Sequence, residues 1–354
     1  MSRAHRHSTS RYLRQRVLFR ADASHEIGFG HLARLFALIE EVEACGGEPV
    51  VMFGGDPPAV TSWARDRGLT VNVQPWTAAQ VLQVVEDRKV VTAFLDGSRL
   101  VDELGAKLVE RKVRTIVLDD QGGCALPVQA IVNHNVDAPL RAHTYPGARL
   151  LLLGRRYLLL RREIRRHMRG SCLPQQTARL RVVVTFGGSD PVGATARALR
   201  VMPTERALDL VVIAGPGFRG VDELRAAVDR ATVCGHTVDL RRSPEDPGAL
   251  FASADAAICS AGGTLGELAY LGCPAAAYAI VPDQRGPAAH QATAGLIHGG
   301  TDWGALTDDQ LRADLRVFLE DDGRRKALRA AALSTADSDG PRRVVDEAVL
   351  ELPA

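Results

Sequence analysis

Residues 256–269 read Ala256-Ala257-Ile258-Cys259-Ser260-Ala261-Gly262-Gly263-Thr264-Leu265-Gly266-Glu267-Leu268-Ala269. Four apolar residues suit a strand buried on both faces, the small residues after them suit a turn, and the rest has helical spacing. A strand that runs through a glycine turn into a helix is half of a βαβ unit. The same plan extends on both sides. Arg181–Phe186, Leu210–Ala214, Thr237–Leu240 and Ala275–Ile280 are further strand candidates in the second half. In the first half the candidates are Val17–Phe19, Pro49–Phe53, Val90–Leu95, Thr115–Leu118 and Ala130–Val132, with helical patterns at 31–45, 58–67, 77–87 and 100–111. Continuous apolar strands alternating with helices predict parallel sheets covered on both faces, an α/β protein.

The chain has 354 residues, enough for two domains at roughly 150 residues each. The pattern predicts two doubly wound halves: a basic tail over 1–15, an N-terminal domain over 16–165, a C-terminal domain over 178–340 and a terminal helix over 341–354. The hinge is expected near 165–178, after a segment with seven Arg between 155 and 169.

The formal charge of +2 is uneven, because the first twenty residues carry six Arg and no acid. The remaining chain has 38 basic and 42 acidic residues, so the footprint of a nucleic-acid binder is missing. Six Cys are scattered without a C-x-x-C pair, which argues against a zinc ribbon or a disulfide framework and for a cytoplasmic location. No apolar run reaches the ~18 residues of a membrane span, and no secretory signal is legible at the N-terminus. No His/Asp/Glu cluster has metal-ligand spacing, so neither metal nor cofactor is expected.

Loops at strand ends carry the chemistry. The first strand leads into Ser24-His25-Glu26-Ile27-Gly28-Phe29-Gly30-His31. Gly28–Ala33 matches the dinucleotide pattern G-x-G-x-x-A, yet eight residues separate Phe19 from Gly28, too many for a tight turn directly after the strand. Gly28 and Gly30 instead let the backbone approach a ligand closely, with His31 in the first turn of a helix. The positive helix end should lower the His31 pKa and keep its imidazole neutral, as a general base requires. In the second half, the amides around Ala261, Gly262, Gly263 and Thr264 form a ready diphosphate site. Glu267, one turn on, suits two vicinal ribose hydroxyls. Gly188 and Ser189 follow another strand, and His290 and Gln291 follow Ala275–Ile280, where open α/β sheets bind ligands. Asp119-Asp120 ends a buried strand at the cleft, where either carboxylate could line the acceptor pocket, with Asp119 the named candidate.

Arg20-Ala21-Asp22-Ala23-Ser24, Ile27-Gly28-Phe29-Gly30-His31 with Arg34, Asp119-Asp120, Leu153-Gly154 with Tyr157 and Leu160-Arg161, Phe186–Pro191, and Ala261–Thr264 with Glu267 together resemble the UDP-sugar hydrolase of pseudaminic acid biosynthesis and its spore-coat-polysaccharide relatives. The resemblance runs over residues 17–300 in the same order. It implies the GT-B fold, two Rossmann-like domains facing across a cleft. It also implies UDP on the C-terminal domain at Gly262, Gly263, Thr264 and Glu267, and His31 as catalytic base. Two places depart from the pattern: Asp96-Gly97-Ser98 stands where the family has Asp-x-Tyr, and His290-Gln291 where it has Asn-Gln. The second departure is more similar to the N-acetylglucosaminyltransferase of lipid II synthesis.

The expected function is transfer of a sugar from a UDP-sugar to a small soluble acceptor, with His290 and Gln291 holding sugar hydroxyls. A UDP-sugar hydrolase, with water in place of the acceptor, is the alternative. A non-catalytic sugar-nucleotide sensor is the third reading. Neither nucleic acid nor membrane is an expected partner.

Overall fold

A computed structural model describes residues 15–167 and 179–350. The tail over 1–14, most of the expected hinge and residues 351–354 lie outside the described residues.

Among the described residues the first half forms a parallel sheet in the order β2-β1-β3-β4-β5-β6. Its strands are β1 (Arg16–Ala23), β2 (Glu48–Gly55), β3 (Thr92–Asp96), β4 (Arg114–Leu118), β5 (Ala130–Asn133) and β6 (Leu150–Leu153). The second half repeats this with β7 (Leu180–Thr185), β8 (Leu208–Ala214), β9 (Thr237–Arg242), β10 (Ala256–Ser260), β11 (Ala275–Ala279) and β12 (His298–Asp302), in the order β12-β11-β10-β7-β8-β9. Both sheets are buried on two faces, which is why β3 and β10 are buried at every position. Phe19 and Phe94 stack at 5.2 Å across the β1–β3 pair. Ten of these strands follow the apolar runs of the sequence; β6 and β12 are additional edge strands.

The order of each sheet reverses once. In the first sheet the chain builds outward from β1 to β2, then returns to the other side of β1 with β3. In the second it builds from β7 through β9, then returns beside β7 with β10. Such reversals open a crevice at the carboxyl ends of the two central strands, and ligands bind there in open α/β sheets. The first crevice lies between the ends of β1 and β3, and the second between the ends of β7 and β10.

The helix Gly30–Ala44 follows β1 and buries Leu32, Leu35, Phe36, Ile39 and Val42 on the first sheet, a spacing of three and four that lays one stripe inward. It stops at Cys45-Gly46, with Gly46 at φ +81°. Arg161 to Arg165 and the Gly340–Val345 helix then tie the halves together. Val344, Val345, Ala348 and Val349 complete the core of the first half although they come last in the chain.

Candidate active site

His31 stands in the first turn of the Gly30–Ala44 helix, at the first crevice. That helix has no side-chain N-cap, unlike the helices capped by Asp56, Thr77 and Thr307, so its first amides face whatever enters. Asp96 ends β3 on the other side of the same crevice. The His31 Nδ1–H donates to Asp96 Oδ1 at 2.5 Å, which leaves Nε2 as the acceptor on the outer edge of a ring whose side chain is 28% exposed.

The Asp96 carboxylate is fully buried and shared. Arg34, one helical turn beyond His31, donates Nε to Asp96 Oδ2 and Nη2 to Asp96 Oδ1, both at 2.6 Å, and its Nη1 reaches Asp120. Asn135 Nδ2 donates to the other Asp120 oxygen at 3.2 Å. Burial opposes ionisation of both carboxyls, but the guanidinium holds Asp96 and Asp120 below the ordinary aspartate value. His134, directly after β5, is pushed down to about 4 by burial and by Arg34.

The expected lowering of the His31 pKa is corrected here. Asp96 is the largest influence on the ring and raises its pKa, overriding burial and Arg34, which lower it. A carboxylate in direct contact outweighs the partial charge of a helix end. A carboxylate on Nδ1 fixes the tautomer of the ring and favours its protonated form.

The Asp119 carboxylate is engaged with its own loop. Its Oδ1 accepts from the Gln121 and Gly122 amides at 3.0 and 2.9 Å, so it shapes its own loop. The neighbouring Asp120 takes the place in the cluster.

On the second crevice, Gly262, Gly263 and Thr264 precede the first bonds of the helix Thr264–Leu271, Leu265 N to Gly262 O and Gly266 N to Gly263 O, both 3.0 Å. Their amides are therefore outside the intrahelical ladder. Gly263 is exposed, and a Cβ there would meet nothing within 4 Å. Ala261 is corrected to a structural role, because its amide is spent on Tyr278 O at 2.8 Å and the residue is buried. Glu267 lies in the first turn as expected, and Arg161 donates to its Oε1. Cys259, beside the turn, is pushed up to about 12 by burial, which excludes it as a nucleophile at neutral pH.

His290 and Gln291 do not sit at the edge of β11. The helix Arg285–Thr293 starts earlier than expected, which puts them in its second turn. Gln291 is buried and accepts from Arg155 Nη2, so its carbonyl is not available to a sugar. Gln284 is nearer the turn, with its Nε2 3.3 Å from where a Cβ on Gly262 would lie.

The two crevices are joined. A Cβ on Gly28, at φ +83°, would lie 3.7 Å from Ser189 Oγ, and one on Gly187 would lie 3.7 Å from Ser260 Oγ. Phe29 fills the gap between Gly188 and Gly217, where an added Cβ would come within 2.7 Å of its side chain. His25 Nδ1–H donates to Gly217 O at 3.0 Å. Gly188 and the 3%-exposed Ser189 thus serve the contact between the halves, with Phe29 packed against Gly188. Gly30, in contrast, faces open space. Replacing Gly188 with alanine is expected to destabilise the protein by roughly 1–3 kcal/mol through overpacking. Denaturant midpoints of Gly188→Ala, Phe29→Ala and the double variant check this: the double variant should lose less than the two singles together.

Among the described residues no three His, Cys, Asp or Glu side chains are grouped to hold a metal ion, and no helix is long and apolar enough to cross a membrane.

No family model and no curated protein matches the sequence. Solved structures do match. MurG of Acinetobacter baumannii is 15% identical, with a TM-score of 0.63 over 94% of this chain and 99% of that one. UDP-GlcNAc 2-epimerase from Neisseria meningitidis, solved with UDP-GlcNAc, is 12% identical, with a TM-score of 0.62 over 94% of this chain and 99% of that one. The spinosyn rhamnosyltransferase SpnG, complexed with thymidine diphosphate, is 17% identical, with a TM-score of 0.61 over the same shares of 94% and 99%. The shared architecture is the GT-B fold, two Rossmann-like domains with parallel sheets.

Proposed function

We propose that the protein is a UDP-sugar-dependent glycosyltransferase in which His31 is the general base. The observation that carries the reading is the His31–Asp96 dyad at one chain-reversal crevice, with an uncapped glycine turn at the other crevice and the Gly28 loop of the first half close to Ser189 of the second. Neighbours of the same fold that were solved with UDP-GlcNAc and thymidine diphosphate support a nucleotide-sugar ligand.

In the proposed step, His31 Nε2 takes the proton of an acceptor hydroxyl as its oxygen bonds to C1 of the sugar. The bond from C1 to the β-phosphate oxygen breaks, and its electron pair leaves with UDP. The amides of Gly262, Gly263 and Thr264 would stabilise the charge that develops on the diphosphate. Asp96 would balance the imidazolium. Glu267 would hold the ribose, and Glu267→Ala is expected to weaken UDP binding by roughly 1.5–3 kcal/mol.

Hydrolysis is the second reading, favoured by the stretch Ile27–His31 with Arg34, which resembles the hydrolase of pseudaminic acid biosynthesis. Purified protein incubated with a panel of UDP-sugars, with and without candidate acceptors, separates the two. UDP release that needs an acceptor, with a product of matching mass, supports transfer. Release at full rate in water alone supports hydrolysis. A protein that binds no uridine nucleotide is neither.

A further inference from the structure

The segment leading out of β6 is fastened to the Thr264–Leu271 helix at successive positions. Leu158 packs where a Cβ on Gly266 would come within 2.5 Å. Tyr270 Oη–H donates to Arg165 O at 3.3 Å. Between them, Arg161 donates Nε at 3.2 Å and Nη2 at 2.7 Å, both to Glu267 Oε1. Arg161 is 8% exposed and is itself held: its Nη1 meets Glu163, and Glu163 is paired with Arg67 at 3.3 Å.

The two carboxylate oxygens of Glu267 are therefore unequal. Two donors occupy Oε1. Among the described residues Oε2 makes no hydrogen bond, and it is not sealed from solvent. A carboxylate with both oxygens free can place one on each of two vicinal hydroxyls. Loss of the 2′-hydroxyl then strands one oxygen, and sites built this way reject the analogue strongly. Here Oε1 stays satisfied whether or not a 2′-hydroxyl is present.

We infer that Arg161 is a specificity-determining positioning residue: by spending Oε1 it leaves a single oxygen of Glu267 for the sugar of the nucleotide, so the site accepts 2′-deoxyribose nearly as well as ribose. The donors would then span pyrimidine nucleoside diphosphate sugars of both the ribo and deoxyribo series. The inference rests on the nucleotide reading of residues 262–267.

Calorimetric titration of the full chain with UDP and with 2′-deoxyuridine diphosphate tests it. The two dissociation constants are expected to lie within about tenfold of each other, less than the loss of one hydrogen bond to a charged group would cause. Arg161→Met frees Oε1 and should raise the ratio above about tenfold. That ratio is a readout that a merely structural role would not move. A wild-type ratio above tenfold, with UDP bound, overturns the inference and leaves the nucleotide reading standing. A folded Arg161→Met protein with an unchanged ratio does the same. Absence of UDP binding overturns both.

Discussion

Replacing His31 with alanine is expected to lower turnover by about 10²–10⁴-fold, the usual contribution of a positioned general base, with UDP affinity unchanged. The split follows from position: His31 belongs to the first crevice, whereas the proposed diphosphate and ribose contacts belong to the second. The pH profile carries the finer test. Only the unprotonated ring can accept a proton, and Asp96 raises the ring above its ordinary value of 6.5. The acidic limb of kcat/KM should therefore lie above 6.5, with activity climbing as pH rises through the raised value. The same raised value stabilises the fold below the unfolded pKa, and that stabilisation is lost as pH rises through the folded one. Asp96→Asn removes the largest raising influence and leaves burial and Arg34, so the limb should move to lower pH. Its plateau should also fall, because the tautomer is no longer fixed. Turnover by His31→Ala above half the wild-type rate would remove the base from the mechanism.

Much of the architecture was legible because buried parallel strands are apolar at every position and are separated by helices. That signal weakens at the sheet edges. His298–Asp302, with sequence His-Gly-Gly-Thr-Asp, has no apolar run and becomes a strand by pairing with β11 through an irregular register. The glycine loops were legible too, since glycine-rich stretches at strand ends have few structural alternatives. Their partners were less so. Gly188 reads as a ligand loop, yet its missing side chain makes room for Phe29, 159 positions earlier in the chain. Asp119 and Asp120 read alike in sequence. One turns back on its own loop and the other meets Arg34, and only the path of the chain after β4 decides which. Asp96 was read only as the first position of an Asp-x-Tyr pattern from which Ser98 departs, because a lone acid after an apolar strand does not announce a histidine 65 positions away. Arg34 had a faint signal: three residues from His31, it lies on the same helix face.

Arg34→Met should be the most destabilising single change in the cluster, by roughly 3–5 kcal/mol at pH 8. The guanidinium makes a forked contact with Asp96 and a further one with Asp120, and the three side chains are 11%, 0% and 30% exposed. Without it, two carboxylates remain past the ends of the neighbouring strands β3 and β4, with His31 beside Asp96. In the wild type Arg34 holds both carboxyls below their ordinary value. Their stabilising contribution is therefore present above the unfolded pKa and is lost as pH falls through the folded values. In the variant, burial and mutual repulsion push them the other way, and one takes up a proton that the unfolded chain would not hold. Protonation relieves the repulsion, so the stability gap between wild type and variant should shrink from pH 8 to pH 5. Urea denaturation at the two pH values measures it, and an equal gap at both would remove the ion cluster from the account. Arg34 also lowers the His31 value, so the acidic limb of any remaining activity should move up in Arg34→Met. Asp96→Asn moves it down. Opposite shifts from the two ends of one ion pair are the signature of a charge balance acting on the base; a general loosening of the crevice would move both limbs the same way.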